Sequence, residues 1–154
     1  MNSFIDAIAF NFQTSGENFQ VLFPKLPQRK FLHLRDENKR KQLFLFDLMI
    51  AEVEFFNDGR KSTDGFYNQM GKNGISTQWY INSHLKVVEF FKNGVREGIS
   101  TSYHSNGVIN NILNYKNNKV DGEAVFYRDD GTKDADGSYS EGNQIGIWNF
   151  YTRN

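Results

Sequence analysis

Three histidines and one dense acidic run are the residues whose types could carry chemistry in this chain. His33, His84 and His104 stand far apart in sequence. A histidine works as a general base only with a nucleophile and an orienting group in hydrogen-bond reach. His84 and His104 fall in turn segments, and no nucleophile elbow accompanies any of the three. Surface histidines are the simpler account, so no catalytic residue is assigned and the chain reads as a non-enzyme. The run DDGTKDADG, Asp129 to Gly137, invites a calcium reading. It lacks the full alternation of carboxylates and the terminal Glu of an EF-hand loop. Two turns with acidic flanks explain it, so neither a metal nor a cofactor is expected. With no cysteine there is no disulfide framework, no thiolate metal site and no Cys nucleophile. No glycine-rich loop of the phosphate-cradling kind is present either, because each Gly sits at a hairpin or repeat position.

Charge is balanced overall, 18 Lys and Arg against 18 Asp and Glu. That argues against a general nucleic-acid binder and a polybasic membrane anchor. It is unevenly spread, however. Lys25, Arg29, Lys30, Arg35, Lys39, Arg40 and Lys41 oppose only Asp36 and Glu37, a net of +5. Between Lys119 and Glu141, three basic residues meet seven acidic ones, a net of −4. Asp129, Asp130, Asp134, Asp136 and Glu141 are therefore candidates for steering a partner with a basic surface. No apolar stretch approaches a membrane span. The opening MNSFIDAIAFNF has no basic n-region, so a cytoplasmic protein without an export signal is expected.

The elements that must position these residues follow from a repeat. Gly74, Gly98, Gly122 and Gly146 are 24 residues apart. Counting back from Tyr151 in steps of twelve gives Tyr139, Tyr127, Tyr115, Tyr103, Phe91, Trp79, Tyr67 and Phe55, all aromatic. Turn signals follow these aromatics. Asp58-Gly59, Asn93-Gly94, Asn106-Gly107 and Asp130-Gly131 predict type I′ hairpin turns, which need positive φ at both central residues. A strand of about five or six residues plus its turn fills a twelve-residue step. The expected fold is all-β: an antiparallel meander of tandem hairpins with a 24-residue unit and a 12-residue half-unit, forming one elongated, curved sheet. Along these strands the odd positions Ile75, Thr77, Trp79, Ile99, Thr101 and Tyr103 are largely apolar, and the even positions Ser76, Gln78, Ser100 and Ser102 are polar. That predicts a buried odd face and a wet even face. Near the C-terminus the even face turns apolar at Ala124, Phe126, Trp148 and Phe150. Phe126, Trp148 and Phe150 are thus candidate partner contacts, although a cap on the repeat array explains them too.

Residues 1–49 are less regular and read as degenerate N-terminal hairpins capping an array over residues 50–154, in one structural domain. AFNFQTSGENFQVLF suggests a hairpin around Ser15-Gly16. KFLHLRDENKRKQLFLF reads as a further hairpin turning at Arg35–Lys39, or as a helix from Asp36 onward.

The motifs FFNDG, FFKNGVREG, YHSNG, FYRDDG and YSEGNQIGIWNFY make the array resemble the MORN-repeat variant family over about residues 50–154. WYINSH lacks the turn Gly, and NYKNNK has Asn in its place. The resemblance implies a bacterial antitoxin or immunity protein. Such a protein would bind and neutralise a cognate protein toxin through an extended sheet, without touching nucleic acid itself. The alternatives are a glycan- or acidic-lipid-binding repeat module and a scaffold. An exposed sheet edge adds the expectation of a homodimer.

Overall fold

The structure, a computed structural model, describes residues 32–37, 39–45 and 48–153. The hairpin expected around Ser15-Gly16 and the basic residues Lys25, Arg29 and Lys30 lie outside the described residues. Twelve strands and no helix are present among the described residues: β1 (Leu32–Glu37), β2 (Arg40–Leu45), β3 (Leu48–Phe55), β4 (Lys61–Asn68), β5 (Gly71–Trp79), β6 (Leu85–Lys92), β7 (Val95–Arg96), β8 (Gly98–Tyr103), β9 (Ile109–Lys116), β10 (Lys119–Tyr127), β11 (Lys133–Ser140) and β12 (Asn143–Phe150). They form one open antiparallel sheet in chain order, with the short β7 pairing β6 beside β8. The all-β meander read from the repeat is therefore the fold. The segment left between helix and strand is the β1–β2 hairpin, in which Glu37 pairs with Arg40.

From β5 onward two turn types alternate along the two rims of the sheet, whereas the β4–β5 turn at Gln69-Met70 has positive φ at neither residue. At one rim, Asn93-Gly94, Asn117-Asn118 and Glu141-Gly142 all take positive φ at both positions, the type I′ pattern. At the other rim are three-residue loops. Phe56, Tyr80, His104 and Arg128 each donate their N–H to the carbonyl four residues on. In these loops only the last residue is left-handed: Gly59, Ser83, Gly107 or Gly131. Asp58-Gly59, Asn106-Gly107 and Asp130-Gly131 thus differ from the type I′ turns their sequence suggests. Their Asp or Asn instead uses its side-chain oxygen to accept the N–H two residues on, at 2.9–3.1 Å in all four loops including Asn82. That Asx contact favours a type I turn closed by one left-handed residue.

The register repeats as regularly as the turns. One extra residue bulges from each return strand at Ser62, Lys86, Asn110 and Asp134, again 24 apart. Two extra residues are accommodated around Gly74, Gly122 and Gly146, where φ is 115°, 108° and 65°. A bulge opposite regular pairing on the other edge bends the strand and raises its twist.

Pairing corrects the expected burial of the two faces. Gly74 pairs with Phe91, Gly98 with Tyr115 and Gly122 with Tyr139, so these rings project on the same side as Ser76 and Ser100. Ser76 and Ser100 are 2% and 5% exposed, whereas Ile75 and Ile99 are 52% and 61% exposed. The even positions were expected to be wet and the odd ones buried. The reason for the reversal is that aromatics of the return strands land beside the small residues. The twelve-step ladder splits into two 24-step ladders: Tyr67, Phe91, Tyr115 and Tyr139 on this serine face, and Phe55, Trp79, Tyr103, Tyr127 and Tyr151 on the opposite, isoleucine face. The sheet is a single layer, and among the described residues the buried apolar ones are few: Leu43, Ala51, Val53, Ala124 and Ala135. Cations extend the cover. Lys41 lies over Phe55, Lys61 over Trp79, Lys72 over Phe91 and Arg96 over Tyr115, at 4.6–5.9 Å from the ring centres. Arg96 also holds the buried Glu89, Nε to Oε1 at 2.8 Å, in a geometry that is an ion pair rather than a directed hydrogen bond.

Candidate functional site

The acidic residues singled out in the sequence do not converge. Asp129 and Asp130 sit in the loop between β10 and β11, whereas Glu141 sits in the turn between β11 and β12, at the opposite rim. Asp134 is a bulge residue, and Asp136 lies on the isoleucine face opposite Val125. Each meets a cation. Asp134 pairs with Arg128 at 2.7 Å, Asp136 with Lys133 at 2.8 Å and Glu141 with Lys119 at 2.7 Å. Asp129 and Asp130 face Arg153 at 3.7 and 3.8 Å. A stretch of net −4 in sequence is thus spread over both rims and locally neutralised in the fold. Exposed pairs of this kind are screened by solvent and contribute little to stability.

Asp136 is the exception in how tightly it is held. It accepts hydrogen bonds from Lys133 Nζ, Asn149 Nδ2 and Tyr151 Oη, each at 2.8 Å. These donors, Lys133 first, hold its carboxyl down at about 2. The knot ties β12 and the residue after it to β11.

Phe126, Trp148 and Phe150 do come together, on the serine face and with Tyr139. Tyr139 meets the Trp148 ring edge-on at 5.2 Å, Phe126 lies 6.2 Å away and Phe150 stacks at 6.3 Å. Trp148 lies flat over Gly137, where a Cβ would come within 2.4 Å of the indole. Its Nε1 is buried without an acceptor. Phe150 remains 74% exposed.

Two features escaped the sequence reading. The first is an exposed apolar stripe on the isoleucine face. Ile75 pairs with Phe90, and Ile99 stands on β8, the strand beyond, on the same side. All three are exposed. The recurring Gly-Ile of Gly74-Ile75, Gly98-Ile99 and Gly146-Ile147 was the available signal. The parity argument masked it by assigning these positions to a core. The second is an open groove of about 530 Å³ on the serine face, lined by Glu52, Glu54, Tyr67, Gln78, Tyr80 and Lys86 among others. Tyr67 Oη donates to Glu52 Oε2 at 3.0 Å, and Arg40 ties Glu52 and Glu54 together. Burial first, then the Glu52 charge, pushes the Tyr67 hydroxyl well above its ordinary value. It is therefore a neutral donor and no base.

The histidines of the loops are structural. His84 Nδ1 lies 2.8 Å from the Ser105 carbonyl and His104 Nε2 lies 2.9 Å from the Tyr127 carbonyl, so each staples its loop to the neighbouring repeat. Among the described residues, no group of three His, Cys, Asp or Glu is placed to hold a metal ion. Nor is any helix there long and apolar enough to cross a membrane.

No protein-family model matches the sequence. No curated protein matches it significantly. Among solved structures, the GtfA/B complex bound to UDP and GlcNAc holds a chain similar over 77% of this chain and 26% of its own, at 13% identity and a TM-score of 0.44. The glycosylation-associated Gap123 complex from Streptococcus agalactiae holds one similar over 79% of this chain and 19% of its own, at 13% identity and a TM-score of 0.29. This chain spans about a quarter or less of those chains. Likenesses this remote carry no argument about what it does.

Proposed function

We propose that this chain is a protein-binding sheet of the antitoxin or immunity kind, acting by covering a cognate toxin and performing no reaction itself. The toxin-directed part rests on the resemblance to the MORN-repeat variant family. The binding part is supported by one observation, the exposed stripe of Ile75, Phe90 and Ile99 across β5, β6 and β8. A soluble sheet gains nothing from leaving such a stripe in water, and apolar centres with polar rims are what partner surfaces have. Lys92 on β6 flanks it as an exposed cation. Co-expression with the product of the adjacent gene tests the reading. A stable complex and protection from toxicity are expected. Phe90→Asp with Ile99→Asp should abolish both while circular dichroism stays unchanged. No complex and no protection with the unaltered chain would sink the proposal.

The groove favours a second reading, a glycan-binding module, because Tyr80 stands there beside the Glu52, Glu54 and Gln78 side chains. Aromatic faces with planar polar groups suit sugar rings. A glycan pull-down without signal removes it.

A further inference from the structure

We propose that β12 is a self-pairing edge: two copies of the chain join antiparallel through β12, with a two-fold axis at Ile147, into one continuous sheet. This rests on the edge geometry and is independent of the functional reading above.

Among the described residues nothing pairs with the outer side of β12. Edge strands in monomers are blunted by charge, proline, shortness or bulges that twist the edge away. Of these devices β12 has only a bulge, at Gly146–Trp148 against β11. The strand is eight residues long, and from Gly142 to Thr152 there is no Lys, Arg, Asp, Glu or Pro. Ile147 is 85% exposed, the most exposed large apolar residue among those described.

The repeat specifies what an outer partner must present. β5, β8 and β10 are earlier copies of β12, and each pairs outward by the same rule. The period glycine faces an aromatic: Gly74 to Phe91, Gly98 to Tyr115, Gly122 to Tyr139. Two residues on, Ala124 faces Gly137 in the same ladder, so β11 offers β10 the pattern Gly137-x-Tyr139. β12 carries that pattern itself, as Gly146-x-Trp148. Antiparallel pairing about Ile147 puts Gly146 of each copy opposite Trp148 of the other on the serine face. On the other face it sets Ile147 against Ile147.

Backbone polarity agrees. Tyr151 donates its N–H to the Asp134 carbonyl. Alternation along the strand then turns Trp148 and Phe150 outward, so that the Gly146–Trp148 pairs carry the hydrogen bonds and Ile147 sits at a non-hydrogen-bonded pair. The bulge of β12 faces β11, and the equivalent bulge of β10 leaves its outer pairing from Gly122 to Phe126 unbroken. With no charge on the strand, nothing repels a second copy.

Sedimentation equilibrium of the full chain at micromolar concentration should give twice the monomer mass. The chain has no cysteine, so Ile147→Cys supplies a single thiol at a pair whose Cα atoms lie about 4.5 Å apart, within disulfide reach. Mild oxidation should convert it to a covalent dimer, whereas Ile75→Cys on a central strand should stay uncross-linked. Ile147→Lys, which sets two ammonium groups together, should run as a monomer with unchanged circular dichroism. A wild-type monomer overturns the proposal, whether β12 is bare or covered by another segment of the chain. So does a dimer in which Ile147→Cys fails to cross-link. If Ile147→Lys does not fold, the cross-linking result decides.

Discussion

Gly137 and Asp136 are neighbours with opposite duties at the last hairpin. Gly137 leaves room for Trp148, since any Cβ there would lie 2.4 Å from the ring. Gly137→Ala should therefore destabilise the fold by about 1–3 kcal/mol through overpacking, read as a lower urea midpoint. It should also move Trp148, read as a shifted indole emission. Asp136 on the other face holds the same strand by charge. Its carboxyl sits at about 2 against an ordinary 3.8, so the native state favours the ionised form. That contribution is complete above the ordinary value and is lost as pH falls from about 4 towards 2. Asp136→Asn should be less stable than wild type at neutral pH, and the gap should close across that window. A gap that persists unchanged to the lower limit would show that the carboxylate is not the group responsible. His84 and His104 each serve a carbonyl of the next repeat.

At the scale of elements, the hairpins were legible because turn chemistry is local. Asn93-Gly94 takes the turn its sequence names, and even Asn117-Asn118 does so without glycine. The three-residue loops show where local reading stops: Asn-Gly appears in both turn types, at Asn93-Gly94 and at Asn106-Gly107, and only the cross-strand bonds tell them apart. Ser83 stands at the left-handed position, φ 68°, that glycine fills in the other three loops. A non-glycine residue there is strained by about 1 kcal/mol, so Ser83→Gly should raise stability by roughly 0.5–1 kcal/mol. Thermal unfolding of the variant checks this, and a lower midpoint would contradict the strain. The stripe of Ile75, Phe90 and Ile99 was not legible. An isoleucine in an alternating strand looks like core until one knows what covers each face.

The whole molecule is a quasi-one-dimensional array in which each strand contacts its neighbours. Stapling bonds recur at the same interval: Gly94 N–H to the Lys72 carbonyl, Asn118 to Arg96, Gly142 to Val120. Asn73, Glu97 and Asp121 side chains accept the N–H groups of Asn93, Asn117 and Glu141 in the same way. Removing one 24-residue unit, residues 98–121, should therefore leave a folded sheet. Its urea m-value should fall by roughly one-sixth, in line with the surface lost. Removing only 12 residues should abolish cooperative unfolding, because it sets two turns of different type on one rim and puts bulged edges against each other. Far-UV circular dichroism with urea distinguishes these outcomes. Equal tolerance of both deletions would refute the 24-residue unit.

The sequence by itself determined the period, the strand count of each unit and the places of the turns, since these depend on residues within a few positions of one another. The tertiary structure decided which face is covered and which charges remain. Both are set by the register between strands, through pairs such as Gly74 with Phe91 and Glu141 with Lys119, 17 and 22 residues apart. A bulge of one or two residues changes that register without altering the alternation along either strand. Hydrogen bonding across the sheet, rather than hydrophobic alternation along it, therefore turned the serines inward and left the isoleucines out.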